Sequence, residues 1–344
     1  MTTQATQAIV MAGHERPITQ VKYNLEGDLI FSSSKDSFAT CWRSDTGDRL
    51  GTYDGHKGAI NTLDIDRKTK YLATGASDRT VRIWEAETGE EKYQFETKSA
   101  VRSVNFAIGD KLLLAAQDSQ YGSQPTVFIY DLYDGKTTLN PDMKPRTQLF
   151  VEGNRENIVT ALWCDLNKRI ITAHEDGIVR KWDVETQKVI QKVEVCESRL
   201  QSMQYSKDET MIAAASKGDH CAKLLDTKTL EVMKTYRSNR PINAAAISPI
   251  FNQVLIGGGI EARDVAVSGR AGYFEVDFWQ ACFQEYMGSV KGHYSPVNSI
   301  DIHPNGKSFV SGAEEGYVRL HHLDQTYLKS SKEMDSVDAW LEKQ

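Results

Sequence analysis

The sequence predicts an all-β chain closed into a seven-bladed β-propeller. Three observations carry that reading: a repeat of about 42 residues, four short strand-like segments in each repeat, and two chain ends that complete one another. The 344-residue length would by itself suggest about two domains at roughly 150 residues each. The repeat replaces that estimate with one ring, expected to span residues 1–325, with a polar tail over 326–344.

The period is visible from the N-terminus. Gly13-His14 is followed four residues after the His by Ile18 and 28 residues after it by Trp42, and Gly55-His56, Ile60 and Trp84 keep the same offsets. With the apolar residue as phase marker, the series is Ile18, Ile60, Val101, Ile158, Leu200, Ile242 and Val297, at intervals of 42, 41, 57, 42, 42 and 55. The two long intervals each hold an insertion of about 15 residues. Blades then start near residues 14, 56, 97, 154, 196, 238 and 293.

Within the second unit, Leu63 and Ile65 alternate with Asp64 and Asp66. Tyr71-Leu72-Ala73-Thr74, Thr80-Val81-Arg82-Ile83-Trp84 and Tyr93-Gln94-Phe95 follow, separated by turns such as Ser77-Asp78-Arg79 and Thr88-Gly89-Glu90. Apolar residues on both faces suit sheets sandwiched between neighbours. The last unit stops at Leu323 without a fourth strand, while Ala8-Ile9-Val10-Met11 stands before the first unit without a repeat of its own. The N-terminal strand is therefore expected to complete the seventh blade and so remove two open edges.

Composition narrows the function. The chain is 40% apolar with a net charge of −6, which argues against a protein built to grip phosphate backbones. Met1–Gln7 carries neither basic residues nor an apolar run, and no segment approaches a membrane span. The five cysteines Cys41, Cys164, Cys196, Cys221 and Cys282 show no C-x-x-C pair, which suits reduced thiols in a cytosolic or nuclear compartment. G-x-S-x-G, H-E-x-x-H and P-loop runs are missing from the sequence, as is metal-type Cys/His spacing, so no cofactor or metal is expected. Gly257-Gly258-Gly259 ends a strand and reads as a turn, while His174-Glu175-Asp176 and Gly218-Asp219-His220 read as polar turns. Arg79, Arg82, Arg180 and Arg319 read as solvated or inter-blade residues, and His321-His322 as neighbours pointing to opposite faces of one strand.

One recurring set imitates a catalytic triad: His14, Ser32 and Asp36 before Trp42, and His56, Thr74 and Asp78 before Trp84. Recurrence assigns it to the scaffold, since catalysis needs one copy, and the donor-only indole requires a buried acceptor. Unit four keeps Thr172, Asp176 and Trp182 with Asn154 in the place of the His, and unit seven has Ser311, Glu315 and His321. Blades one and two are expected to be the most regular.

These repeats resemble WD40 propellers, with Lys181-Trp182-Asp183 the one literal Trp-Asp pair. Three segments resemble, more narrowly, the subunit-i family of eukaryotic translation initiation factor 3. They are Gly13-His14-Glu15-Arg16-Pro17-Ile18-Thr19-Gln20-Val21-Lys22-Tyr23-Asn24, Gly257-Gly258-Gly259-Ile260-Glu261-Ala262-Arg263-Asp264-Val265 leading to Gly272-Tyr273-Phe274-Glu275, and Gly288-Ser289-Val290-Lys291-Gly292-His293-Tyr294-Ser295-Pro296-Val297-Asn298-Ser299. The resemblance implies a non-enzymatic scaffold that grips a C-terminal helix of subunit b and an N-terminal segment of subunit g, meeting the small ribosomal subunit through them with little RNA contact of its own. It further implies a helix-binding side on blades five and six, with Asp208 and Asp226 facing a basic peptide, Leu224 supplying an apolar contact and Ile260 near the same surface. Ile260 stands where the family carries Gln. The plain alternative is that both aspartates are turn acids.

Two segments are left open by sequence. The aromatics of 271–288 (Tyr273, Phe274, Phe278, Trp279, Phe283, Tyr286) suit core or partner surface equally. Met334, Val337, Trp340 and Leu341 fall at helical spacing after Asp335 and predict a short amphipathic helix, either docked or frayed. A signalling scaffold associated with receptor kinases is the competing reading. A ubiquitin-ligase adaptor is disfavoured, because Trp182-Asp183-Val184-Glu185 lacks the Trp-Asp-x-Arg pattern.

Overall fold

Short β-branched and aromatic runs, cut by turns rich in Asp, Ser and Gly, fold each of the first six repeats into four antiparallel strands laid in sequence order from the central channel outward, and the seventh into three. The structure, a computed structural model, describes residues 8–120, 122–134, 138–139, 144–150, 153, 155–260 and 273–334. Among these, seven four-stranded sheets stand as the blades of a propeller. Blade two, for example, runs Ile60–Ile65, Tyr71–Ala76, Thr80–Glu85 and Glu91–Glu96. The insertion of blade three holds the hairpin Tyr133–Asp134 with Thr138–Leu139 between its third strand and its outer strand, Pro145–Leu149.

The ring closes as the chain ends predict. Ile9–Met11 pairs antiparallel with Val318–His322, with Ile9 opposite Leu320 and Met11 opposite Val318. Met11 then packs with Ile18, Ile30, Trp42, Val310 and Leu320 in one cluster shared by blades seven and one. Approach at this seam is close: a side chain at Gly312 would place its Cβ 2.4 Å from Ile18 Cγ2.

Inner strands present backbone N–H groups that no strand pairs, and side chains of the neighbouring blade supply the acceptors. Ser299 Oγ accepts from Val21 N at 3.0 Å and an Asp301 carboxylate oxygen from Tyr23 N at 2.7 Å, linking blade seven to blade one. Asp64 does the same for Phe106 N at 2.6 Å and Asn105 for Trp163 N at 3.2 Å. Contacts also cross the channel. Gln204 of blade five donates to Asp301 of blade seven at 2.9 Å, and Arg67 of blade two pairs with Glu209 of blade five at 2.8 Å.

Past the last strand, a helix spans Gln325–Met334, earlier in the chain than the one expected after Asp335. Positions 337, 340 and 341 lie outside the described residues. Tyr327 sets this helix on blade six: its ring lies 5.9 Å from Phe278 in a T-shaped contact and its hydroxyl donates to Gln253 Oε1 at 3.0 Å. Gln253 Nε2 in turn donates to Ser331 Oγ at 3.0 Å. The aromatics of the sixth-blade insertion divide, with Phe278 in the core and Tyr273, Phe283 and Tyr286 exposed. No helix among the described residues is long and apolar enough to cross a membrane.

Candidate functional site

The His–hydroxyl–acid sets form closed hydrogen-bond chains. In blade one, Trp42 Nε1 donates to Ser32 Oγ at 2.8 Å, Ser32 Oγ meets His14 Nε2 at 2.8 Å, and His14 Nδ1 meets Asp36 Oδ2 at 2.8 Å. Blade two repeats the chain through Trp84, Thr74, His56 and Asp78 at 2.8, 2.8 and 2.9 Å. Each acid also accepts from the backbone N–H of the residue after the His, Glu15 in one case and Lys57 in the other. Burial alone would raise the Asp36 carboxyl, but the hydrogen bond from His14 and two backbone N–H donors outweigh it and hold it below the usual range. Ser32 and Thr74 are 0% exposed. A hydroxyl sealed between an indole and an imidazole cannot meet a substrate, so these chains anchor turns and indoles.

Blade four departs from its expected form. Asn154 lies outside the described residues, and the imidazole comes from His174, which closes the strand Arg169–His174 and is no turn residue. Its Nε2 meets Thr172 Oγ1 at 2.8 Å, and Thr172 accepts from Trp182 Nε1 at 2.9 Å. Asp176 instead pairs with Arg180 at 2.7 Å. Burial, and then the Arg180 charge, push the His174 imidazole down to about 4. Blade seven keeps the chain, with Glu315 for the Asp: His293 meets Glu315 at 2.8 Å and Ser311 at 2.7 Å. His321 replaces the indole, stacks on Phe309 at 4.6 Å, and burial pushes it down to about 3.

The arginines need correction. Arg82, Arg180 and Arg319 are buried and pair within their own blades with Glu91, Asp176 and Glu315. Arg79 alone of the four is exposed, at positive φ.

The expected partner residues do not share one surface. Strands alternate in direction, so the loop after the inner strand Leu200–Tyr205 and the end of the third strand Cys221–Asp226 lie on one face of the ring. That face carries Asp208 and Asp226. Ile260 follows the far end of the strand Gln253–Gly258 and lies on the opposite face. Leu224 is only 3% exposed, packed with Tyr236, Ile242 and Val254 between blades five and six. Both aspartates are built into turns: Asp208 accepts from Ser206 Oγ and Thr210 Oγ1 at 2.6 and 2.8 Å, and Asp226 from the N–H groups of Lys228 and Thr229 at 2.8 and 2.7 Å. These hydrogen bonds, led by Ser206 for the one and the Thr229 N–H for the other, lower both carboxyls below their ordinary value. The residues flanking Asp208 are tied across the channel, Lys207 to Pro304 O at 3.0 Å and Glu209 to Arg67. Beside Asp226, the outer strand exposes Val232 and Met233. Sequence reading missed these two; their signal is the apolar pair opening a strand whose inward partner, Tyr236, is fully buried.

The EIF3I family model matches residues 6–333. The human protein named eukaryotic translation initiation factor 3 subunit I is 43% identical over 324 residues, covering 93% of this chain and 98% of that one. The zebrafish protein of the same name is 42% identical over 320 residues, covering 93% and 97%. The signalling-scaffold alternative gains no support from these relatives. With the family model matched over residues 6–333 and relatives 42–43% identical over 93% of the chain, the chain belongs to the EIF3I family of translation initiation factors.

Proposed function

We propose that this protein is a non-enzymatic scaffold subunit of eukaryotic translation initiation factor 3, working in the cytoplasm. It binds a C-terminal helix of subunit b and an N-terminal segment of subunit g, and meets the small ribosomal subunit through them. In this role it supports assembly of the 43S preinitiation complex and mRNA scanning. The observation that carries the reading is the match to the family along nearly its whole length.

On blade five, Asp208 and Asp226 lie on one face of the ring, and exposed Val232 and Met233 stand beside Asp226. Fixed negative charge beside apolar surface suits a basic amphipathic helix, which is the occupant proposed for this face. Leu224 acts from beneath, as packing, and Ile260 is outside this surface.

Copurification of the tagged, full-length chain with recombinant b and g segments tests the reading. Wild type should retain both, and Asp208→Lys/Asp226→Lys should weaken the b segment tenfold or more while the ring stays folded. Wild-type affinity in that variant would remove the two aspartates from the interface. Failure of the wild-type chain to recover any initiation-factor subunit at native expression would overturn the scaffold role itself.

A further inference from the structure

In blade five the anchoring chain is gone, yet its acid remains. Register places Ala214, opposite Met203, where Ser32 stands opposite Val21, and Leu225, opposite Ile212, where Trp42 stands opposite Ile30. No indole needs an acceptor there and no hydroxyl needs an imidazole. Asp219 nevertheless takes the backbone N–H of Glu197 at 2.9 Å, as Asp36 takes that of Glu15 and Asp78 that of Lys57. The residue before Glu197, in the place of His14 and His56, is Cys196. Across from it, the third strand opens on Cys221.

The sulfurs of Cys196 and Cys221 and a carboxylate oxygen of Asp219 lie within 4.8 Å of one another. Both cysteines are 2% exposed and neither is in a disulfide, while Asp219 is half-buried and opens the cluster on one side. We propose that Cys196, Cys221 and Asp219 form a binding site for a thiophilic divalent cation of the zinc class, with water as fourth ligand.

The donor set is the argument for that class. Two thiolates and one carboxylate suit zinc and disfavour magnesium or calcium, which take oxygen ligands. Tetrahedral coordination at about 2.3 Å to sulfur and about 2.0 Å to oxygen sets ligand atoms roughly 3.5–3.8 Å apart, so the cluster contracts by no more than about 1.3 Å. Binding releases one proton from each thiol. Two thiolates and a carboxylate then leave the metal site with one net negative charge, and Lys223, two residues past Cys221, supplies the neighbouring cation. Its ammonium is held beside the site by Val195 O at 2.5 Å.

Cobalt tests the site, because tetrahedral Co2+ is coloured and its sulfur ligands add a near-ultraviolet charge-transfer band. Full-length reduced protein carrying Cys282→Ser, which removes the exposed thiol, should bind one equivalent of Co2+ with both signatures and release it to Zn2+. Cys196→Ser or Cys221→Ser should abolish the sulfur band, Asp219→Asn should weaken binding about tenfold, and Cys164→Ser should leave it unchanged. Absence of the bands in the otherwise native chain overturns the proposal, as does a sulfur band that survives Cys196→Ser/Cys221→Ser. Should the serine variants misfold, the stoichiometry and spectrum of the native-cysteine chain still decide. A Cys196–Cys221 disulfide under those reducing conditions would count against the site.

Discussion

Blades two and five share one backbone plan and hold it by different means. In blade two, Trp84, Thr74, His56 and Asp78 form a sealed polar chain that fixes the entry loop against the third strand. In blade five, Leu225 and Ala214 replace the first two, and the blade relies on the apolar packing of Ala214, Leu200, Met203, Ile212 and Leu225 against blade four. Strand pairing in the two sheets runs in the same register, including the irregularity one residue into each inner strand. The ladder and the seams between blades therefore define the fold, and the polar chain is a local reinforcement that a blade can lose. The position released by the imidazole becomes free for other chemistry, as with Cys196 beside Asp219 and Cys221.

The strongest challenge to that comparison is at the closing seam, where neither device is spare. Deleting residues 1–12 removes the strand Ile9–Met11 and uncovers Val318–His322, and it should lower the melting temperature by about 10 °C or leave no soluble ring. A truncated chain that melts with the intact one would show that blade seven stands on three strands. Next in size is the polar chain itself. His56→Ala takes one buried partner from Thr74 and one from Asp78 and leaves a cavity between them, and it should cost on the order of 3 kcal/mol in urea unfolding. The matching Cys196→Ala in metal-free protein should cost only about 1 kcal/mol. Equal losses would mean that blade five depends on its polar residues as much as blade two does.

Acid separates the blades further. The His174 imidazole, at about 4 in the folded chain against 6.5 in an exposed one, protonates first in the unfolded state. Stability should therefore fall as pH drops from about 6.5 to about 4, by on the order of 3 kcal/mol from this residue. His321, pushed down to about 3, acts in the same direction. Asp36, Asp176 and Glu315 are lowered in the fold, so their contribution holds above the ordinary carboxylate range and is lost only on further acidification. Replacing His321 with Phe removes a buried ring whose Nδ1 has no hydrogen-bond partner among the described residues. Thermal melts at pH 5 should show His321→Phe above wild type, and a lower melting point would mean that the imidazole contributes more than its burial costs. The smallest effect is expected at Arg67–Glu209, a half-exposed pair across the channel. Glu209→Gln should change stability by less than about 1 kcal/mol, and a larger loss in urea unfolding would make the bridge a structural tie.

Much of this was legible in sequence because it repeats. Seven phase markers, four of their intervals one period long and two lengthened by insertions, fix the number of sheets, and the surplus strand at one end with the missing strand at the other fixes the closure. The networks of blades one and two were readable for the same reason: Ser32 and Asp36 hold a constant distance from Trp42, as Thr74 and Asp78 do from Trp84. What does not repeat stayed hidden. His174 takes the place expected of a residue 20 positions earlier, at no spacing that the pattern contains, and only folding shows that its ring meets Thr172. Ile260 and Asp208 read as neighbours along the chain of blades, yet strand direction sends them to opposite faces. Cys196 and Cys221 are 25 residues apart with nothing in common, until the turn around Asp219 brings both sulfurs to one point. Period and hydropathy are properties of the chain and determine its architecture; burial, facing and proximity depend on which strands become neighbours in the closed ring.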